Sequence, residues 1–525
     1  MKPHIFKLAY RSLLKNRSFF LISLFGLATS LAAAIVLFMH YFSELSYDKH
    51  IPDSERTYRI ITRLGEGTYW SRTFAAFGDA LADRPEVEEF TSFNDIKNCQ
   101  VNIGEKDHNI QEAVIADTAF IDFFGLELIS GRKEDLGEPN TVFITEEIAD
   151  RLFPGDNPLG QEIFLKQFEG NRNDSVGYFT IAGVVRPWPE NSHFGFGMIC
   201  SWNGHFSGQL ERLKGGKLFG IHTYVRLFQG VPHADLEASL TDMLIPYLEG
   251  TAGPPITGFN SKLQGVRDIH FTPDINRETR PVIPKSMIYL LLSVGLLILI
   301  LMTMNFTSAV IVQSHQQKRT TGIMRIMGAT KLDLFRMSLL KNALIVGLSL
   351  ILSWIFIGLA EPFLQSVFGS KWNLHSISTK MLLVGAATGI PVIIIATLGM
   401  QLPFKKNFTV FGVLTVIQFA VVIILMGFSL VVQRQISYLD QTDLGFTEKN
   451  VFVVRIPAEN PRGSFLVEEM EKQAGIISAS TAHFHPGDIT MSMDFAMGGN
   501  NYPYSFRIVG PRALETLEIN LLERF

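Results

Sequence analysis
The chain has 525 residues, 47% of them of hydrophobic type, with 42 phenylalanines and a formal net charge of −4. That length exceeds one ordinary domain, and the apolar excess points to a membrane protein. The balanced charge excludes a nucleic-acid binder and an acidic tail.

Residues 1–17 carry Lys2, Lys7, Arg11, Lys15 and Arg17, and the first acid is Glu44. Pro3 suits a first helical turn, and Ile5, Phe6, Ala9 and Leu13 form an apolar stripe. This pattern predicts a short cytoplasmic helix lying in the membrane interface. Residues 18–42 form a first span, long enough to cross the hydrocarbon core. A signal peptide is the alternative, but the run is longer than a usual h-region and lacks a clear small-x-small cleavage site. The basic flank places the N-terminus in the cytoplasm.

Residues 43–285 then lie outside the cytoplasm and read as a folded α+β domain. Thr57–Leu64, Tyr178–Val185 and Thr223–Phe228 are β-rich, whereas Thr145–Phe153 and Ala234–Leu248 are helical. Turns are marked at Pro154–Pro158 and Pro187–Asn191. Cys99 and Cys200 both fall in this domain, leaving a disulfide and separate core packing as alternatives.

Further spans are expected at 286–312, 339–360, 379–402 and 409–433. Lys405 and Lys406 fall on the cytoplasmic side before the last of them. Asn305 is a polar residue inside the second span and is expected to face protein rather than lipid. An interhelical hydrogen bond or a transport site would each explain it. Residues 434–525 read as part of a second extracytoplasmic domain.

Residues 313–338 are the cytoplasmic stretch on which the rest is organised. Ile323, Ile326 and Met327 recur at helical spacing and share one face. Gly322, Arg325 and Ala329 belong to the same short element. Gly328 ends it as a C-cap glycine. Thr330 and Asp333 then form a capping pair that opens a second helix running straight into the third span. The expected role is contact with a partner that pushes on this stretch. An ordinary basic loop that merely fixes topology is the alternative.

Two stretches echo each other across the halves. Lys15-Asn16-Arg17 before the first span resembles Lys405-Lys406-Asn407 before the fifth. Phe123–Ile129 resembles Thr516–Leu522. A duplicated span-plus-domain unit is expected, with the second domain incomplete.

No GxxxxGK[ST] occurs, so the chain is not expected to hydrolyse ATP itself, and HExxH is also absent. His483-Phe484-His485 places two imidazoles at strand spacing without an evident third ligand. Asn191-Ser192-His193 reads as a turn or cap rather than a hydrolase site. No catalytic, cofactor or metal residue is expected.

The chain resembles the FtsX-like, MacB-type ABC transporter permeases, in their long form. The resemblance rests on LAYRSLLKNRSFFLISLFGLATSLAAAIVL, SELSYDKHIPDSERTYRI, ADTAFIDFFGLELISGR, NTVFITEEIADRLFPGDNPLGQEI, IAGVVRPWPENSHFGF, MNFTSA, GIMRIMGAT and IQFAVVIILMGFSLVVQRQISYLDQTDLGF, in that order. It implies helical membrane spans, a MacB-type periplasmic core domain and an inner-membrane location. It also implies a separate cytoplasmic ATPase, a homodimer or a heterodimer with another permease, and mechanotransmission to the periplasm. The ATPase contacts would fall on Gly322 to Thr330. The chain departs from the family where acidic residues are usual, with Thr320 and Lys341 there instead. It also ends part-way through the second domain, before the three further spans of the long form. A periplasmic sensor or scaffold without an ATPase, or a truncated permease without activity, are the rival readings.

Overall fold
The computed structural model describes residues 17–442 apart from 66, 105, 168–175, 216–218, 249–257, 369–373 and 400–403. Beyond 442 it describes residues 450–454, 463–482, 491–497, 500–506, 510 and 512–519. The chain forms two compact units, residues 1–170 with 175–418 and residues 171–174 with 419–525.

The first unit begins with α1 (Arg17–Glu44), β1 (Thr57–Leu64), β2 (Tyr69–Trp70), β3 (Thr73–Phe74) and α2 (Phe77–Leu81). A long hairpin of β4 (Val87–Ile103) and β5 (Lys106–Ala116) leads to α3 (Phe120–Phe123), β6 (Leu128–Gly131), β7 (Thr141–Thr145) and α4 (Glu146–Leu152). Then come β8 (Glu162–Gln167), β9 (Gly177–Val185), β10 (Met198–Ser201), α5 (Ser207–Lys214), β11 (Phe219–Leu227) and α6 (His233–Leu248). The domain closes with β12 (Phe259–Gly265), α7 (Val266–Ile269) and β13 (Ile275–Asn276). Helices α8 (Lys285–Gln316), α9 (Lys318–Ile326), α10 (Lys331–Phe368) and α11 (Leu374–Gly399) follow, and α12 (Phe404–Gln441) crosses the boundary between the units.

The strands make one mixed sheet in the order β13-β2-β1-β11-β4-β5-β10-β7-β9-β6, so the domain is α+β as expected. Strands β7 and β10 are buried at every residue, because the sheet is covered on both faces there. One face packs an aliphatic core of Ile96, Val101, Ile115, Ile144, Ile163 and Ile181. The other packs aromatic rings around Phe93, whose centroid lies 5.2–6.2 Å from those of Phe120, Phe124, Phe194, Phe196 and Tyr224. Such offset and edge-on contacts add to the area that the rings bury.

Among the described residues, five helices are long and apolar enough to cross a membrane. Helices α1, α8, α10 and α11 form one bundle in the first unit. Its core joins Leu31 and Ile35 of α1, Phe306 and Val310 of α8, Ile345 and Val346 of α10, and Val392 and Ala396 of α11. Gly385 and Gly389 let α11 approach Leu350 and Val346 of α10, where a Cβ would already sit 3.3 Å from their side chains. Helix α10 is continuous from Lys331 to Phe368, so the amphipathic turn at its start and the expected span 339–360 are one rigid rod.

The second unit contains the end of α12, α13 (Gly463–Glu471), a hairpin of β14 (Met491–Met497) and β15 (Asn500–Phe506), and α14 (Ala513–Thr516). Arg512 pairs with Glu471 at 2.8 Å and ties α14 to α13. Its local structure matches the first unit where the sequences echo. Each unit carries an antiparallel hairpin, with Ile103 paired to Lys106 in one and Met497 to Asn500 in the other. After α3, the N–H groups of Phe124, Gly125 and Leu126 donate to the carbonyls of Phe120, Asp122 and Ile121. After α14, those of Leu517, Glu518 and Ile519 donate to Ala513, Glu515 and Leu514, the same pattern. Gly125 and Glu518 hold the matching left-handed position, at φ 65° and 54°. Residues 520–522 of the echo lie outside the described residues.

Candidate functional site
The stretch 313–338 folds as a short helix and a rod joined by a tight turn. Gln317 separates α8 from α9. At the end of α9, Gly328 adopts φ 92°, and the Ala329 N–H reaches back to the Met324 carbonyl at 2.9 Å. This is the αL cap that the glycine predicts. The Thr330 hydroxyl accepts from the Asp333 N–H at 3.2 Å, and Asp333 accepts from the Thr330 N–H at 3.0 Å. The reciprocal capping box is therefore present, and such a cap contributes roughly 1 kcal/mol to a helix start.

The apolar face of α9 has no cover among the described residues. Ile323 is 58% exposed, Ile326 88% and Met327 76%. Gly322 opens on empty space, since a Cβ there would meet nothing within 4 Å. Arg325 and Thr330 are also exposed, and Ala329 is half-buried. The eight residues expected to form the contact therefore lie together along α9 and the turn that leads into α10. One turn into the bundle, the Lys341 ammonium donates to the Gln313 side-chain oxygen of α8 and lies 5.7 Å over the Phe19 ring of α1. These contacts lock the start of α10 to both neighbouring helices.

At the other end of α1 and α8 a second set of contacts joins the bundle to the sheet domain. The buried carboxylate of Glu44 lies 2.5 Å from His270 Nε2, and Tyr47 stacks on the same imidazole with a centroid distance of 3.5 Å. Asp48 is wholly buried and accepts from the His193 N–H at 3.0 Å and the Ser192 hydroxyl at 3.2 Å. Burial pushes the Asp48 carboxyl up, but the adjacent His193 outweighs that, and the group sits below the usual carboxylate range. The Asn191 amide donates to the Ser46 carbonyl at 2.8 Å. From the α8 side, the Thr279 hydroxyl donates to the His193 carbonyl at 2.7 Å, and Arg280 donates to that of Ser192 at 3.2 Å. The loop 191–193 is thus clamped by the chain leaving α1 and the chain leading into α8. Arg59 of β1 adds a two-pronged pair to Glu278, at 2.8 and 2.5 Å.

Asn191-Ser192-His193 is accordingly a structural turn. The Ser192 hydroxyl points to Asp48 and not to the imidazole, whose Nε2 faces the Tyr224 hydroxyl at 2.7 Å. Cys99 and Cys200 are both buried thiols. They lie on β4 and β10, with β5 between them. Two strand spacings, about 9–10 Å, exceed the reach of a disulfide. The disulfide alternative is therefore corrected to separate core packing. The His483-Phe484-His485 motif lies outside the described residues. Among those described, no three His, Cys, Asp or Glu side chains are placed to hold a metal. The Asn305 side chain is exposed on α8, with no hydrogen-bond partner among the described residues.

With the fold in view, comparison with known proteins places the segment from α1 to α6. Residues 20–243 match the family model described as the MacB-like periplasmic core domain. The resemblance to MacB-type permeases drawn from the sequence is thereby borne out, as is an architecture of apolar helices around an α+β domain. The MacB-like core ends before α8, so the match leaves the α9 stretch outside it. Solved structures similar to the chain include a domain of a putative permease protein from Porphyromonas gingivalis, at 22% identity, TM-score 0.34, and 41% and 92% coverage of this chain and that one. The periplasmic region of MacB from Actinobacillus actinomycetemcomitans gives 18% identity, TM-score 0.30, and 42% and 92% coverage. The extracellular domain of the ABC-type transporter YknZ from Gram-positive bacteria gives 14% identity, TM-score 0.26, and 39% and 98% coverage. No curated protein sequence matches the chain.

Proposed function
We propose that this chain is the membrane subunit of an ABC transporter that carries work from a separate cytoplasmic ATPase to its MacB-like periplasmic core. The N-terminus lies in the cytoplasm, and the subunit works as a homodimer or beside another permease. The observation that carries this reading is the uncovered apolar face of α9, Ile323, Ile326 and Met327, held by caps at the membrane end of α8. An ATPase docking there moves α9 and α10 together, because the Gly328 turn and the capping box leave them little freedom. Helix α10 has 38 residues, a rod of about 57 Å. The Lys341–Gln313 contact passes its displacement to α8, and the clamps at Glu44, Asp48 and Glu278 pass it to the sheet domain. The work moves or releases a periplasmic substrate, by export or extraction. The matched capping of α3 and α14 supports reading residues 434–525 as part of a second periplasmic domain.

The test is affinity purification of the full chain from native membranes in mild detergent. A P-loop ATPase is expected to co-purify with the wild type and to be lost with Ile326→Asp. Ile326 is exposed, so its replacement should leave the melting temperature unchanged. Recovery of equal ATPase with Ile326→Asp, or of none with the wild type, would refute the proposal.

A further inference from the structure
A cleft of 330 Å³ lies in the sheet domain between residues 109–112 of β5, helix α4 and the strip 195–197 that leads into β10. Phe194 and Phe196 of that strip belong to the aromatic core, and Gly195 and Gly197 line the cleft. A side chain at Gly195 would collide with the Arg280 guanidinium, and a Cβ at Gly197 would sit 3.1 Å from Ile148. Bare backbone therefore keeps the cleft deep. Its place follows from the clamp. The loop 191–193, just before the strip, is bonded to Ser46 and Asp48, within four residues of the end of α1. Arg280 stands five residues before α8 begins at Lys285, so the chain allows at most roughly 18 Å between them. The cleft thus lies at the base of the domain, beside the bilayer surface.

Four charges surround it. Arg280 faces Glu112 at 3.6 Å, beyond hydrogen-bond distance. Arg151 donates to the Asn109 carbonyl at 3.3 Å, and Glu147 stands one turn before it on α4, both exposed. Trp188 also lines the cleft; it is 8% exposed, and its buried indole N–H has no acceptor among the described residues. Two cations, two anions and a spare donor thus border one small volume.

We propose that this cleft takes the headgroup of a zwitterionic phospholipid, phosphatidylethanolamine, from the adjoining leaflet. The phosphate oxygens accept from Arg280 and Arg151, whose planar forks suit a phosphate, and the ammonium donates to Glu112 and Glu147. A phosphoglycerol headgroup brings no cation, and a choline headgroup brings no N–H donor. Arg280 also bonds the Ser192 carbonyl, so a bound headgroup steadies the joint between the helices and the sheet domain. The site goes beyond the transporter reading and does not depend on an ATPase at α9.

The experiment is native mass spectrometry of the full chain in detergent, with phosphatidylethanolamine, phosphatidylglycerol or phosphatidylcholine added one at a time. One ethanolamine lipid should bind about tenfold more tightly than either of the others, the worth of one charge-assisted hydrogen bond. Glu147→Gln should erase most of that preference, and Arg151→Gln should weaken all three lipids. Both residues are exposed, so the melting temperature should not move. Inorganic phosphate should not displace the lipid. Equal binding of the three lipids would overturn the proposal, as would a preference unchanged by Glu147→Gln. Displacement by inorganic phosphate would reduce the site to one for phosphate alone, and a peptide retained in place of lipid would make it a polypeptide site; either result overturns the proposal.

Discussion
Loss of Glu278 should destabilise the joint between the membrane helices and the sheet domain. Arg59 is wholly buried, and its guanidinium is held by both Glu278 oxygens and by the Gln264 side chain at 2.6 Å. Glu278→Ala leaves that charge in the interior with only neutral acceptors, the Gln264 side chain and the Tyr224 hydroxyl. Removing one partner of a buried pair costs roughly 3–5 kcal/mol, because the remaining ion has lost its solvent and its counter-charge. For a domain of this size each kcal/mol moves the melting temperature by about 2–4 °C, so the transition should fall by roughly 6–20 °C. The assay is near-ultraviolet circular dichroism of the full chain in detergent, which follows the packed aromatic core around Phe93. The double variant Arg59→Met with Glu278→Met removes both charges and should recover most of the loss. A Glu278→Ala protein melting within about 2 °C of the wild type would refute the reasoning. So would a double variant no better than the single one.

Thr330→Ala removes the capping box at the start of α10 and should cost about 1 kcal/mol locally, read as faster amide exchange at residues 331–334 with an unchanged sheet domain. Burial holds the His50 imidazole below its ordinary value of 6.5, against the pull of the Asp48 carboxylate. The unfolded chain therefore binds the extra proton first as pH falls, so stability is present above about 6.5 and lost below it. Melting temperatures between pH 7.5 and 5.5 should show that slope, and His50→Gln should flatten part of it; an unchanged slope counts against the assignment. Burial pushes the Cys99 thiol up to about 12 and that of Cys200 well above its ordinary value. Neither should react with a maleimide in the native protein at neutral pH, and both should react once it is unfolded.

The sequence by itself determined the elements whose cause is local. Apolar length identified the spans, because a helix that crosses lipid must be apolar along its whole run. Period-two patterning placed β1 at Thr57–Leu64, where the structure has it. Gly328 and the Thr330–Asp333 pair declared the turn and the helix start, since caps are made by residues three or four apart. The echo of Phe123–Ile129 near residue 516 was legible for the same reason, as a left-handed cap is a local device. Only the tertiary structure decided the joint. Glu44 meets His270, Asp48 meets His193 and Arg59 meets Glu278 across separations of 226, 145 and 219 residues. No spacing rule spans such distances, and each residue alone looks like a surface polar group. It also decided the state of Cys99 and Cys200, because strand order is not written in either strand. Asn305 shows the same limit: the sequence declares a polar group in a span, but only the packing of α1, α10 and α11 decides which side of α8 they cover.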